Sequence, residues 1–154
     1  MFRGFLVLLL SVFLLFACFK KEKIISQQIE GEKAVVIYTE AVEALKEGDA
    51  FFAAKKFKEV ESLMPQTDWA AKASIMSSYA QYSRNAYSES IFALERHIYN
   101  YPADENIPYA HYLIAMCYFE QILDEKNDLQ PLLRAKEKFE FIIQKQKITK
   151  LNKF

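Results

Sequence analysis

The chain has 154 residues, which is enough for one modest domain and too short for two comfortable ones. It is 52% hydrophobic and rich in Phe and Tyr, with three glycines and four prolines, a composition that disfavours disordered proteins and turn-rich all-β proteins and favours helix. Twenty basic residues balance twenty acidic residues, so no general basic field favours a nucleic-acid partner.

Residues 1–17 have the organisation of a signal peptide. Arg3 precedes an apolar run over residues 5–16, which is too short to span a bilayer and has the length of a secretory signal. The run ends in Leu-Phe-Ala-Cys, an order that resembles the lipobox of bacterial lipoproteins. That resemblance implies removal of the leader and acylation of Cys18 as the membrane anchor. An uncleaved amphipathic anchor and an ordinary secretory signal are the alternatives.

The residues that follow Cys18 bear on localisation. Phe19 occupies the position where, in enteric bacteria, an Asp retains lipoproteins in the inner membrane. The lipobox resemblance therefore implies the outer membrane of a Gram-negative bacterium, with the chain facing the periplasm. We interpret residues 18–32 as the lipidated cysteine and a polar tether. Since lipid occupies Cys18, we expect the remaining Cys117 to be a buried free thiol.

An internal repeat organises the rest of the chain. Residues 48–65 and 85–102 align without a gap, and their final prolines lie 37 residues apart. In each copy a small residue is followed four positions later by a large apolar residue, a spacing that places both on one helical face. A third copy lies within residues 134–146. The three pairs are Ala53 with Phe57, Ser90 with Leu94, and Ala135 with Phe139.

A further apolar helix is predicted before each copy, roughly over residues 33–46, 69–83 and 108–123. The resulting helical hairpins resemble the tetratricopeptide repeat, whose pattern has a small residue in the first helix, Ala-x-x-x-Phe in the second and a terminal proline. The small first-helix positions are Ala41, Ser78 and Ala115. Six unrelated helices with chance periodicity are the alternative.

The resemblance implies an all-α, right-handed superhelical solenoid of about three hairpins over residues 33–147, followed by a polar tail over residues 148–154. The third repeat departs from the pattern, because it has an insertion over residues 124–131 and lacks the final proline.

Together, the lipobox, the tether and the segments WAAKASIMSSYAQY and YNYPADENIPYAHYLIAMCYFEQI resemble the BamD family of outer-membrane assembly lipoproteins, formerly grouped as competence lipoproteins. The resemblance extends to about residue 146. It implies a lipid-anchored periplasmic protein that works with the BamA insertase and other Bam lipoproteins, binding unfolded β-barrel proteins during their insertion into the outer membrane.

Members of that family continue through further repeats, where they dock on the insertase, whereas this sequence stops after the third repeat. A natural short form and a truncated gene both remain open, and so does the docking of the insertase. The alternative function is a tetratricopeptide lipoprotein that scaffolds cell-envelope or peptidoglycan enzymes.

The tetratricopeptide resemblance also implies a concave peptide-binding groove lined by the first helices of the hairpins. Rigid aromatic rings provide contact area at little entropic cost, and we expect Lys72 to pair with a terminal carboxylate. The alternative is that these rings only pack between adjacent hairpins. The candidate groove residues are Tyr38, Val42, Lys72, Tyr79, Tyr82, Tyr109, Tyr112, Met116 and Phe119.

The sequence gives little support for catalysis. It has no Walker-type glycine loop, no His-Glu-x-x-His motif and no paired cysteine site. We expect structural or surface roles for His97 and His111. Asp124, Glu125 and Asp128 are interpreted as a solvated loop in preference to a calcium site. We therefore predict a protein that is not an enzyme and needs no metal or cofactor.

Overall fold

The computed structural model of the chain describes residues 29–122 and 129–151, with residues 146–151 given by their helical backbone alone. Within these ranges every regular element is a helix, which confirms the prediction of an all-α fold. Cys18, the leader and residues 123–128 lie outside the described residues. The helices are α1 (residues 29–46), α2 (Ala50–Leu63), α3 (Asp68–Ser83), α4 (Tyr87–Asn100), α5 (Ile107–Glu120) and α6 (Gln130–Leu151).

The contacts divide the chain into one unit over residues 1–36 and another over residues 37–154. Of the first unit, the structure describes the beginning of α1. All the packing and sites below belong to the second unit.

Three helix ends differ from the sequence prediction. Helix α1 begins at residue 29, inside the predicted tether, where Glu30 and Glu32 give its first turn the negative charge that helix N-termini favour. Helix α5 ends at Glu120, earlier than residue 123. Helix α6 runs on to Leu151, into the predicted polar tail, because Lys, Gln and Leu continue a helix without a glycine or proline to stop it.

Polar caps and prolines set the other helix boundaries. The Asp49 carboxylate accepts a hydrogen bond from the Phe52 amide at 3.0 Å and so caps the start of α2. The Thr67 hydroxyl accepts a hydrogen bond from the Ala70 amide at 3.2 Å and so caps the start of α3. Pro108 lies in the first turn of α5, where a helix needs no amide donor.

The repeat is visible in the backbone as well as in the side chains. Gly48 and Asn85, which occupy equivalent positions in the two aligned copies, both adopt positive φ, at 91° and 63°. A left-handed residue of this kind commonly ends a helix. The same hydrogen bond closes both turns, from the Asp49 amide to the Ala44 carbonyl at 2.8 Å and from the Ala86 amide to the Gln81 carbonyl at 2.9 Å.

From α2 to α6, helices that follow one another in the chain contact one another, and α3 also contacts α5. This is the arrangement expected when the first helices of successive hairpins lie side by side. The small residues predicted for those first helices, Ala41, Ser78 and Ala115, are all completely buried. Between α3 and α4 the Ser90 hydroxyl donates to the Ser78 carbonyl at 2.9 Å. The register inferred from the sequence is thereby confirmed at these positions.

Two of the three large residues predicted to follow a small residue lie in the core, and the third, Phe139, is half-buried. Phe57 and Leu94 are fully buried, and Leu94 belongs to a cluster formed with residues of α3 and α5. Cys117 is buried and free, as predicted. Burial raises the pKa of its thiol, although the Ser90 side chain opposes this shift. In the part of the chain that the structure describes, no helix has the length and apolar character needed to cross a membrane.

Candidate peptide-binding surface

Three tyrosines on α3 and α5 form an exposed aromatic surface. Tyr79, Tyr109 and Tyr112 are each more than one third exposed. The rings of Tyr109 and Tyr112 lie 6.2 Å apart between centroids. Tyr79 lies on α3, which contacts α5. Burial raises the pKa of the Tyr109 hydroxyl, and Tyr79 and Tyr112 raise it further. We call these three residues the tyrosine surface.

Helix α6 extends this surface. The Phe139 ring contacts Tyr112 edge to face, with centroids 6.3 Å apart. The sequence predicts Phe139 as the large member of a small-large pair, and the structure also places it beside the tyrosine surface. Met116 and Phe119 continue the face of α5 that carries Tyr112, since they follow it by four and seven residues. Met116 is half-buried, and Phe119 is more than half exposed.

Two other candidate tyrosines have packing partners in the structure. Tyr38 is half-buried, and its ring lies 5.1 Å from Phe57 and 5.5 Å from Trp69, both edge to face. Tyr82 packs against the buried cluster of Leu94, and its hydroxyl donates to Glu120 Oε1 at 3.5 Å. Val42 is likewise half-buried. Tyr38 and Tyr82 therefore contribute to helix packing.

Lys72 lies on α3 two turns before Tyr79, on the same helical face. At 1.5 Å of rise per residue, this spacing separates the two by about 10 Å along the helix. Lys72 is exposed and borders a hollow of about 630 Å³ beside the loop between α4 and α5. Asp68 and Glu105 also line this hollow, so the lysine lies among carboxylates.

The two histidines pack in different environments, His97 beside the loop between α4 and α5 and His111 against α6. His97 is completely buried, and its Nε2 lies 3.5 Å from Asp104 Oδ2, beyond a well-formed hydrogen bond. Its ring contacts Tyr101 at 5.3 Å. The His111 ring packs on Phe141 of α6, with centroids 4.2 Å apart. No sequence pattern indicates the proximity of His97 and Asp104, because the loop after α4 brings them together.

Within residues 29–122 and 129–151, no group of three or more His, Cys, Asp or Glu side chains could hold a metal ion. The acidic residues Asp124, Glu125 and Asp128 lie outside the described residues. The arrangement of the tyrosine surface suits non-covalent contact with a polypeptide, because it offers exposed rings and hydroxyls.

Comparison with known proteins shows the family of this chain. The chain matches the YfiO family, described as outer membrane lipoprotein, over residues 30–147. It is 35% identical over 111 residues to the outer membrane protein assembly factor BamD of Caulobacter vibrioides, covering 72% of this chain and 36% of that protein. BamD of Rickettsia prowazekii is 29% identical over 114 residues, covering 74% of this chain and 45% of that protein.

BamD of Xylella fastidiosa is 28% identical over 107 residues, covering 70% of this chain and 36% of that protein. The chain thus spans less than half the length of these curated relatives. The matched region includes the described helices from α1 to Lys147, near the end of α6, and with them the tyrosine surface. The chain therefore belongs to the YfiO outer membrane lipoprotein family, which its BamD relatives identify as a family of outer membrane protein assembly factors.

Proposed function

We propose that this protein binds polypeptides non-covalently during the assembly of β-barrel proteins into the outer membrane, as a component of a Bam complex. The exposed tyrosine surface is the observation that carries the proposal, because soluble proteins seldom leave neighbouring rings exposed without a partner. Membership of an outer membrane lipoprotein family and similarity to BamD support it. The proposed partners are a BamA-like insertase, other Bam lipoproteins and unfolded barrel proteins.

The proposed binding mode places an extended peptide across α3 and α5. Its aromatic side chains contact Tyr79 and Tyr112, and the rings give specificity through edge-to-face geometry. A terminal carboxylate pairs with Lys72, about 10 Å away, a distance that about three extended residues cover. Tyr38 and Tyr82 support the helices beneath this surface. The protein acts by binding and not by catalysis.

Alanine substitution on the tyrosine surface tests this proposal. Tyr79→Ala and Tyr112→Ala are each expected to weaken binding of a peptide with a free carboxy-terminal Phe by about 1–3 kcal/mol, because each removes an exposed ring that anchors the peptide. Isothermal titration gives the affinity, and thermal unfolding of the same samples gives the stability. Tyr99→Ala is the matched control, since Tyr99 is the most exposed tyrosine, at 85%, and lies on α4.

Equal affinities for all three variants would contradict the peptide-binding role of this surface. The role of Lys72 is checked with the same peptide carrying a carboxy-terminal amide, which lacks the charge that the lysine would pair. Co-purification from cells should yield the BamA-like insertase. Recovery of peptidoglycan synthases or hydrolases in its place would favour the scaffolding function instead.

We also propose that Cys18 carries the lipid that holds the protein to the outer membrane, facing the periplasm. Cys18→Ala is expected to abolish labelling by a fatty-acid analogue, because the thiol is the acylated group. It should also leave the leader uncleaved by the lipoprotein-specific peptidase. Cys117→Ala is the control, since Cys117 is buried and its labelling is not expected. Normal processing and membrane attachment of Cys18→Ala would exclude a lipoprotein anchor at this position.

A further inference from the structure

A second groove lies on a different set of helices from the tyrosine surface. It has a volume of about 580 Å³, runs between α2 and α4, and includes residues from the end of α3. Its lining is mostly apolar. Two rings at this groove, Phe51 and Phe92, are 68% and 72% exposed, which is unusual for phenylalanine in a helical repeat. We call this site the α2–α4 groove.

Positive charge surrounds these rings, although the whole chain is neutral. Arg84 reaches its nearest carboxylate, Glu89, only at 4.0 Å, and its guanidinium lies 5.6 Å from the centre of the Phe51 ring. Arg96 pairs with Glu61 at 2.8 Å. Neither lysine of the lining has an ion-pair partner among the described residues. The charged lining residues are Lys55, Lys58, Arg84, Arg96 and Glu89.

The lining also contains polar atoms that lack partners. Gln81 is only 8% exposed, and its Oε1 acceptor has no hydrogen bond to any described residue. The Arg96 Nε donor is buried without a hydrogen bond in the same way. Leaving such groups unpaired is costly, so a ligand that pairs them gains affinity. A peptide backbone can satisfy both atoms, because its N–H donates to an acceptor and its C=O accepts from a donor.

We propose that the α2–α4 groove binds an extended acidic segment of a partner protein, with an aromatic or large aliphatic side chain between Phe51 and Phe92. Both polar atoms are buried in the free protein, so Gln81 and Arg96 turn toward the groove when the segment binds. Backbone groups of the segment then pair with Gln81 Oε1 and Arg96 Nε, and its carboxylates face Lys55 and Lys58. Anionic lipid headgroups would contact Lys55 and Lys58, but they would not enter the groove as far as Gln81. The observations therefore favour a peptide over lipid headgroups.

The test peptide has a central Phe flanked by Asp and Glu, an amidated carboxy terminus and a fluorescent label. Its binding to the purified full chain in detergent is measured by fluorescence anisotropy. The double variant Lys55→Glu/Lys58→Glu is expected to weaken binding at least about tenfold and to gain affinity for the matching peptide with Lys in place of Asp and Glu. Its control is Lys46→Glu/Lys136→Glu, which reverses two exposed charges outside the groove.

Two further variants test the ring and the buried acceptor. Phe92→Ala should weaken binding about tenfold without loss of thermal stability, because the ring is mostly exposed in the free protein. Gln81→Met should weaken binding while leaving thermal stability equal or higher, because it removes a buried acceptor that has no partner within residues 29–122 and 129–145. Tyr112→Ala should bind the acidic peptide normally, which separates this groove from the tyrosine surface.

Four results would overturn the proposal. The first is binding weaker than about 1 mM. The second is equal weakening by the groove and control charge reversals. The third is equal affinity for a peptide with Ala in place of its Phe. The fourth is charge-dependent binding of the protein to phosphatidylglycerol vesicles that competes with the peptide. If Phe92→Ala and Gln81→Met left this vesicle binding unchanged, the surface would be assigned to the membrane.

Discussion

Replacing Phe57 by alanine is expected to lower the free energy of unfolding by about 3–5 kcal/mol, the cost of removing a large aromatic ring from a packed core. Phe57 is completely buried in α2. Its ring contacts Tyr38 of α1 edge to face, and Tyr38 in turn contacts Trp69 of α3. The cavity would therefore remove support from three helices at once. Since domains are stable by about 5–15 kcal/mol, this variant should be near its unfolding threshold.

Thermal or urea unfolding followed by circular dichroism measures this effect. Phe92→Ala is the matched control, because it makes the same chemical change at a ring that is 72% exposed and should alter stability by less than about 1 kcal/mol. If both variants unfolded at the same denaturant concentration as the parent chain, the packing of α2 between α1 and α3 would be wrong.

Acidification is expected to destabilise the protein through His97. Burial lowers the pKa of this histidine, and nearby Arg96 lowers it further, while Asp104 opposes them only in part. The folded protein thus holds His97 neutral at a pH where the unfolded chain, with a pKa of about 6.5, binds a proton. The contribution of His97 to the free energy of unfolding is fully present above pH about 6.5. It is lost as the pH falls from there towards the lowered pKa of His97 in the folded protein.

The loss amounts to at most about 1.4 kcal/mol per pH unit for each proton that the unfolded state takes up. His97→Leu keeps a similar buried volume and should flatten this part of the stability profile. Asp104→Asn should steepen the loss, because it removes the carboxylate that favours the protonated ring.

Urea unfolding at several pH values between about 5 and 8 compares these variants with the parent. His111→Gln is the control. Burial, Lys138 and Lys145 also lower the pKa of His111, so part of the pH dependence should persist in His97→Leu and be reduced in the control. A profile for His97→Leu that is identical to that of the parent chain would show that His97 does not carry the acid sensitivity.

The repeat itself could be predicted because its signals are local and periodic. Small residues spaced by the repeat, such as Ala41, Ser78 and Ala115, are where neighbouring helices approach most closely, and a larger side chain would prevent that approach. Pro108 and the two terminal prolines mark boundaries through backbone geometry alone. Such constraints act within one helix or between adjacent helices, so the order of residues is enough to find them.

The tyrosine surface was less predictable than the repeat, because the exposure of a side chain depends on distances between helices. Helical spacing places Tyr79 and Tyr82 one turn apart, and nothing in the sequence distinguishes the exposed ring from the one that packs on the core. The α2–α4 groove could not be predicted, because two of its residues have the reverse of their usual burial. Phenylalanine in an amphipathic helix is normally assigned to the core and glutamine to the surface, whereas Phe92 is exposed and Gln81 is buried.

The matching turns at Gly48 and Asn85 have a consequence for how such a chain changes length. Both turns have a left-handed residue and the same closing hydrogen bond, although one residue is glycine and the other is not. A piece of chain that begins at one turn and ends just before the other therefore has junctions of the same backbone conformation. Such a piece contains α2 and α3 and is one repeat long. Its duplication or deletion in the gene would join compatible ends, so helix pairs cut at these turns are natural units by which such a chain gains or loses length.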